Sequence, residues 1–150
     1  MRKIISNTSC LIALSNIGKL DILRELYGSV YVTKEVMGEF GEQLPEWVTI
    51  CEVKDKMKTR LIQNTLDLGE SSTIALALEE KDSLLILDDG KARRFAKGLG
   101  LMFTGTIGVI IKASQVGLSI DIKEIITEFR ECGFRISSDI EKILLDEYNK

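Results

Sequence analysis

The chain of 150 residues is 45% apolar and 29% charged, which is typical of one soluble globular domain and excludes wholesale disorder. Its formal net charge of −3 at pH 7 provides no overall attraction to nucleic acid, so any such contact requires a local basic patch. The absence of histidine excludes Ser-His-Asp and Cys-His catalysis and every histidine-ligated metal site.

The first elements of the chain are a short strand and two helical segments. Lys3–Ser6 predicts the strand, and the turn and capping residues Asn7–Ser9 are expected to open a helix that begins near Leu11. A second helix is indicated by leucines at helical spacing, which are Leu20, Leu23 and Leu26. Gly28 is expected to end it.

The next region repeats the alternation of strand and helix. Val30–Val32 predicts a second strand, and Thr33 is expected to cap a helix with an inward face of Val36, Met37 and Phe40. Trp47–Val53 predicts a third, less central strand. Asp55–Leu66 predicts a charged helix, with one side formed by Leu61, Ile62 and Thr65.

An apolar run, Leu84–Leu87, stops abruptly at the adjacent carboxylates Asp88 and Asp89. Such a run is typical of a strand that is covered on both faces, as in a parallel sheet. A basic helical segment follows the acidic pair, and Glu70 begins the segment that precedes the strand. This region is therefore expected to hold the functional residues, because ligands gather at the carboxyl ends of parallel strands.

The last third of the chain is predicted to be helical. The first of these helices is predicted by the helical spacing of Ile107, Ile110, Ile111 and Ser114, and it is expected to end at Gly117. The second has an apolar stripe of Ile122, Ile125, Ile126 and Phe129 and is expected to end at Gly133. Ser138 and Glu141 are expected to form a capping box before Ile140, Ile143 and Leu144. The alternation along the chain predicts an α/β fold, a three-layer parallel sheet with helices on both faces. Residues 1–150 are predicted to form a single domain, on which the helices from about residue 121 pack.

Four positions at strand and helix ends are expected to meet at one edge of the sheet. They are Asn7, Glu39, Glu70, and either Asp88 or Asp89. Clustered carboxylates repel unless a cation or proton offsets their charge, and Mg2+ or Mn2+ is the natural partner for oxygen ligands. Each residue also has a structural explanation: Asn7 as a turn residue, Glu39 on a solvated face, Glu70 in a first helical turn, and the aspartates as helix caps.

Basic residues follow the acidic pair on one helix. Lys91, Arg93 and Arg94 are candidates to hold an RNA or DNA backbone, and a solvated helix face is the alternative. Thr106, at the start of a helix after Gly105, is either near the site or a simple capping residue.

Three widely spaced cysteines, Cys10, Cys51 and Cys132, are interpreted as buried thiols in a reducing compartment. The N-terminus lacks a signal-peptide core, and no apolar stretch approaches the ~18–20 residues that cross a bilayer. A cytoplasmic location without membrane attachment is therefore predicted.

Five runs in this order, IISNTSCLIALSNIGKLDIL, VYVTKEVMGEF, LGESSTIALAL, LLILDDGKARRFAKGLGL and FTGTIGVIIKA, resemble the PIN domain, and more closely its compact branch related to VapC-type toxins. The similarity extends from about Ile4 to about Ile136. It implies a ribonuclease that depends on Mg2+ or Mn2+, often the toxin of a toxin–antitoxin pair with a small antitoxin protein as partner. The acidic quartet of the family falls on Asn7, Glu39, Glu70 and Asp88 or Asp89.

The sequence departs from the family at Asn7, where the resemblance implies aspartate. Asparagine keeps one carbonyl oxygen but loses the charge and the second oxygen, so a divalent ion is expected to bind more weakly. A PIN-like module that binds RNA or protein without cleaving it is the alternative function. A receiver-like or flavodoxin-like domain is disfavoured because the paired aspartates follow a late strand. The apolar faces of the last two helices permit a homodimer, and burial within one chain explains them as well.

Overall fold

The computed structural model describes residues 2–149, in which each of five strands is followed by one to three helices, nine helices in all. The strands are β1 (Lys3–Ser6), β2 (Val30–Thr33), β3 (Val48–Cys51), β4 (Ser83–Ile86) and β5 (Met102–Thr104). The helices are α1 (Thr8–Asn16), α2 (Asp21–Tyr27), α3 (Lys34–Phe40), α4 (Lys56–Ile62), α5 (Leu68–Leu78), α6 (Gly90–Gly98), α7 (Thr106–Gln115), α8 (Ile122–Glu131) and α9 (Ser138–Tyr148).

All five strands are parallel, in the order β3-β2-β1-β4-β5, so β1 lies at the centre of the sheet. Ile5 is in register with Tyr31 on one side and with Leu85 on the other. The chain therefore leaves every strand at the same edge, and the segments after β1 and β4 are neighbours there. The α/β fold predicted from the alternating pattern is confirmed.

The sheet separates two apolar cores, because neighbouring residues of a strand point to opposite faces. Ile4 and Ile86 belong to the core that the helices α1, α2, α3, α7, α8 and α9 cover. Ile5 and Leu85 belong to the second core, which is covered by α4, α5 and α6. This double coverage explains why apolar residues are adjacent in the two central strands, at Ile4 and Ile5 in β1 and from Leu84 to Ile86 in β4.

Several local predictions are confirmed in detail. Thr33 caps α3 by accepting a hydrogen bond of 3.1 Å from the backbone N–H of Val36. The predicted stripe of α8 is buried within the chain, at Ile122, Ile125, Ile126 and Phe129. Burial within one chain therefore accounts for the apolar face of this helix.

Other local predictions are wrong. The sequence analysis did not predict strand β5, because three residues are too few to form a long apolar run. The strand lies at the edge of the sheet, and its Met102 is exposed. The predicted helix Asp55–Leu66 ends at Ile62, and Leu61 points to solvent. Thr65 is likewise exposed, because a turn replaces the last part of the expected helix.

The cap of the last helix and two of the cysteines also differ from expectation. Ser137, not Ser138, caps α9, by accepting a hydrogen bond of 3.2 Å from the backbone N–H of Ile140. Of the three cysteines, only Cys10 is buried; Cys51 is half-buried and Cys132 is exposed. Between residues 2 and 149, no helix combines the length and apolar character that crossing a bilayer requires.

Candidate functional site

Asn7 lies where the central strand β1 ends, and its backbone N–H donates to the carbonyl oxygen of Ile86 at 3.1 Å. Asn7 is the N-cap residue of α1 by position, but its side chain makes no capping hydrogen bond. The side chain is buried, and its Oδ1 atom has no hydrogen-bond partner. A buried carbonyl oxygen without a donor is costly, so this atom is suited to accept from a water molecule or to bind a cation or a ligand group.

Asp88 follows β4 and is held by three hydrogen bonds. Its Oδ1 accepts from the backbone N–H of Thr106 at 2.7 Å, and its Oδ2 accepts from the Thr106 hydroxyl at 2.6 Å. The hydroxyl of Ser9 donates to Oδ2 at 2.9 Å. A Cβ atom at Gly105 would lie 2.9 Å from Oδ1, so a glycine is what allows the start of α7 to approach. Asp88 is therefore fixed in one orientation.

The adjacent aspartate has a different role. Asp89 is exposed, and its Oδ2 accepts a hydrogen bond of 3.0 Å from the backbone N–H of Ala92 at the start of α6. Of the acidic pair, Asp88 is thus directed to Thr106 and Asp89 caps a helix.

Glu39, near the end of α3, reaches across to the starts of α1 and α5. Its Oε1 accepts a hydrogen bond of 2.5 Å from the hydroxyl of Thr8. A Cβ atom at Gly69 would collide with the Glu39 carboxylate, so the glycine makes the space that this side chain occupies. Glu39 is exposed as a whole, and it is brought beside the residues that neighbour Asn7 and Glu70.

Glu70 lies in the first turn of α5 with its side chain buried. Burial is the main reason why the pKa of this carboxyl rises to about 7, and repulsion from Asp67 and Asp89 adds to the shift. Asp67 is the N-cap residue and accepts a hydrogen bond of 2.9 Å from the backbone N–H of Glu70. Near neutral pH the carboxyl therefore holds a proton for part of the time, and a cation nearby would displace it.

The predicted residues Glu39 and Asp88, together with the residues that adjoin their carboxylates, form two groups that flank the end of β1. One group is Thr8, Glu39 and Gly69, and the other is Ser9, Asp88 and Thr106. Within residues 2–149, no three carboxylate or thiol groups lie close enough together to hold a metal ion. The expected convergence of all the acidic residues into one cluster is therefore not present. The oxygens of Asn7 and of the neighbouring carboxylates are nevertheless the ligand type that a magnesium-like ion prefers, and Mg2+ is often held by only one or two carboxylates together with waters and substrate phosphates.

The basic residues of α6 differ in exposure. Lys91 and Arg94 are exposed, and the Arg94 side chain passes close to Gly90. Arg93 is half-buried, with its guanidinium 5.0 Å from the centre of the Phe103 ring. Its Nε atom is buried without a hydrogen-bond partner.

The sequence analysis did not single out Thr8 and Ser9 as contacts of the acidic residues, nor Gly69 and Gly105 as the residues that make room for them. The hydroxyls follow Asn7 directly, and this adjacency was the only signal available. Cys10 continues the same turn of α1; burial raises the pKa of its thiol to about 12, so the thiol stays protonated and unreactive.

A family model described as a PIN domain matches residues 3–150, nearly the whole chain. This match confirms the resemblance to the PIN domain that was drawn from the five sequence runs. Comparison with curated proteins and with solved structures gave no match.

Proposed function

The chain belongs to the PIN-domain family, whose members are generally nucleases, and we propose on this basis that it is an endoribonuclease dependent on Mg2+ or Mn2+. The observation that supports this most directly is the buried, unpartnered Oδ1 of Asn7 at the carboxyl end of the central strand. Asp88, whose orientation is fixed, follows the neighbouring strand β4. A cation at this edge would give the Oδ1 atom of Asn7 a partner and would also be attracted to the carboxylate of Asp88.

Asn7, Glu70 and Asp88 are the residues that would hold the ion, all through oxygen atoms. When bound, a divalent cation activates water and stabilises the charge that develops on a phosphodiester. The protein holds the carboxylate of Asp88 through Thr106 and Ser9, so that it needs no reorientation during the reaction. Release of the proton from Glu70 supplies the second negative charge at the pH of the cell.

Asn7 is expected to weaken this site. An aspartate there would provide a charged oxygen pair where asparagine provides one neutral oxygen. The activity of the chain as written is therefore proposed to be low, and Asn7→Asp is proposed to raise it.

Calorimetric titration with Mn2+ tests the metal site. Asn7→Asp is expected to bind Mn2+ roughly five- to tenfold more tightly than the unaltered chain, since contacts of charged groups are about twice as strong as neutral ones, a gain of about 1–1.4 kcal/mol. The matched control is Asn64→Asp, which makes the same change at an exposed position beyond α4. Cleavage of single-stranded RNA, measured with both variants in Mn2+, should rise only with Asn7→Asp.

Equal RNA cleavage by the unaltered chain and by Asn7→Asp would contradict the proposed role of Asn7. Failure of both forms to bind Mn2+ would instead favour the second candidate, a PIN-like module that binds RNA or protein without cleaving it. Asn7 and the lack of three converging carboxylates within the described residues are the observations that favour this alternative.

The biological setting that the family resemblance implies is a toxin–antitoxin pair, with RNA as substrate, a small antitoxin protein as inhibitor and the cytoplasm as location. A homodimer remains part of the same proposal. Co-expression with the product of a neighbouring small gene, scored by growth and by co-purification, tests this setting independently of metal binding.

A further inference from the structure

A groove of about 340 Å3 opens beside Asp88, between α7 and α9. Its lining combines Arg93 and Arg135 with Phe134 and with isoleucines of the two helices. This volume is within the range of roughly 300–1,000 Å3 that is typical of small-ligand sites. Because Asp88 is part of the lining, a ligand in the groove would lie next to the candidate catalytic edge.

The two arginines of the groove are not neutralised by the protein. Arg135 is exposed and makes no hydrogen bond or ion pair with any residue between 2 and 149. Arg93 leans on the Phe103 ring, and its buried Nε has no acceptor. The nearby carboxylate of Asp88 does not pair with either arginine, since its oxygens accept from Thr106 and Ser9. Both cations are thus available for an anion.

The backbone that connects α8 to α9, and that leads to Arg135, is held in place by the protein itself. Gly133 has a φ of +83°, and the chain turns back so that the N–H of Phe134 donates to the carbonyl oxygen of Phe129 at 2.8 Å. The N–H of Gly133 donates to Arg130, which completes a Schellman motif. The rings of Phe129 and Phe134 lie 4.8 Å apart between centres, so the turn is anchored in the core. The backbone before Arg135 is therefore ordered without a ligand, and only the exposed side chain has to be ordered on binding.

We propose that this groove binds one nucleotide of a single-stranded RNA next to the cleavage site, with the phosphate on Arg93 and Arg135 and the base against Phe134 and the isoleucines. An anion-binding pair beside an apolar surface matches the two parts of a nucleotide. The base must be unpaired to enter, because a paired base is stacked inside a helix. This inference rests on the proposed RNA substrate and adds the groove that would hold a nucleotide next to the cleaved bond.

Binding of a fluorescent single-stranded RNA of about 8 nucleotides, measured by anisotropy in EDTA, tests the groove without cleavage. Arg135→Ala is expected to weaken binding about tenfold and to reduce the slope of log K against log salt by about 0.7, the value for one phosphate contact on a single strand. Arg135→Lys should recover part of the affinity. Arg60→Ala is the matched control, since Arg60 is an exposed arginine on α4 and does not line the groove. The same RNA annealed as a duplex should bind much more weakly.

The groove proposal is overturned if Arg135→Ala binds the single strand as tightly as the unaltered protein with the same salt slope, or if the duplex binds equally well. Should the unaltered protein bind no RNA at all, the groove and the ribonuclease proposal both fall. Metal-dependent cleavage with an unchanged KM in Arg135→Ala would leave the ribonuclease standing and remove only the groove. Binding that depends on Arg135, without cleavage in any metal, would support the groove and overturn the ribonuclease.

Discussion

The two halves of the candidate site hold their carboxylates in opposite ways. On the β4 side, Asp88 accepts three hydrogen bonds and cannot turn without losing them. On the β2 side, Glu39 has one hydrogen bond from Thr8, and the buried Glu70 has a raised pKa. The first half is organised before a ligand binds, whereas the second half is electrostatically unfavourable until a proton or cation arrives.

This difference indicates that the Asp88 side of the site stabilises the fold, whereas the buried Glu70 on the other side destabilises it when the carboxyl is charged. Substitutions on the Asp88 side should lower the free energy of unfolding, because they leave a fixed carboxylate without one of its donors. Substitutions on the Glu39 and Glu70 side should be tolerated or even stabilising, while they change the response to metal ions. Four substitutions separate these effects.

Thr106→Val is expected to have the largest effect. It removes the hydroxyl that donates to Asp88 at 2.6 Å and leaves a partly buried carboxylate short of one donor. A hydrogen bond to a charged group contributes roughly 1.5–3 kcal/mol, so a loss of about that size is expected in the free energy of unfolding. Urea denaturation measures it, and Thr127→Val is the control, since that hydroxyl is exposed and bonds only to a helical carbonyl. A loss no larger than that of the control would show that Asp88 is not held as described.

Gly105→Ala should destabilise through the same carboxylate. The added Cβ would lie 2.9 Å from Asp88 Oδ1, and the side chain cannot retreat without breaking its bonds to Thr106. Overpacking of this kind costs roughly 1–3 kcal/mol, and thermal unfolding would show it. Gly98→Ala is the control, because nothing lies within 4 Å of a Cβ there. RNA cleavage by Gly105→Ala should fall together with its stability.

The fold was more predictable from the sequence than the contacts of the site. Apolar runs such as Leu84–Leu87 and helical stripes such as that of α8 are local patterns, and they identified the layers and the strand ends. The bonds from Ser9 to Asp88 and from Thr8 to Glu39 join residues far apart in the chain, so no local pattern encodes them. The helix cap by Asp89 is local, but its spacing does not reveal which aspartate of the pair turns inward.

Glu70→Gln is expected to stabilise the protein at alkaline pH. The folded pKa of about 7 exceeds the ordinary value of 4.5, so the folded state binds the proton more tightly than the unfolded state. This contribution to stability is complete below pH 4.5 and is lost as the pH rises through 7. Glutamine has no proton to lose, so the substitution removes this pH dependence of stability. The full shift corresponds to ~1.4 kcal/mol per pKa unit, but the buried amide also has a desolvation cost. The free energy of unfolding at pH 8 in EDTA is therefore expected to rise by about 1–2 kcal/mol.

Denaturation at pH 5 and pH 8 measures this gain, with Glu124→Gln on the exposed face of α8 as the control. Addition of Mn2+ should reduce the fall in stability of the unaltered protein between these two pH values. An identical pH dependence in Glu70→Gln and in the unaltered protein would show that the Glu70 carboxyl is not the group responsible.

Gly69→Ala should have the smallest effect on stability and is the sharpest contrast with Gly105→Ala. The new Cβ would displace the Glu39 carboxylate, but that side chain is exposed and flexible and can move away at little cost. Alanine in a helix is favoured over glycine by up to about 1 kcal/mol, so stability should stay constant or rise slightly. Displacing Glu39 from Thr8 should nevertheless lower metal-dependent cleavage if Glu39 belongs to the site. Gly38→Ala, a helical glycine with free space around it, supplies the baseline. The two glycine substitutions add the same methyl group, one against Glu39 and the other against Asp88. A large loss of stability in Gly69→Ala and none in Gly105→Ala would therefore show that Glu39, and not Asp88, is the rigidly held carboxylate.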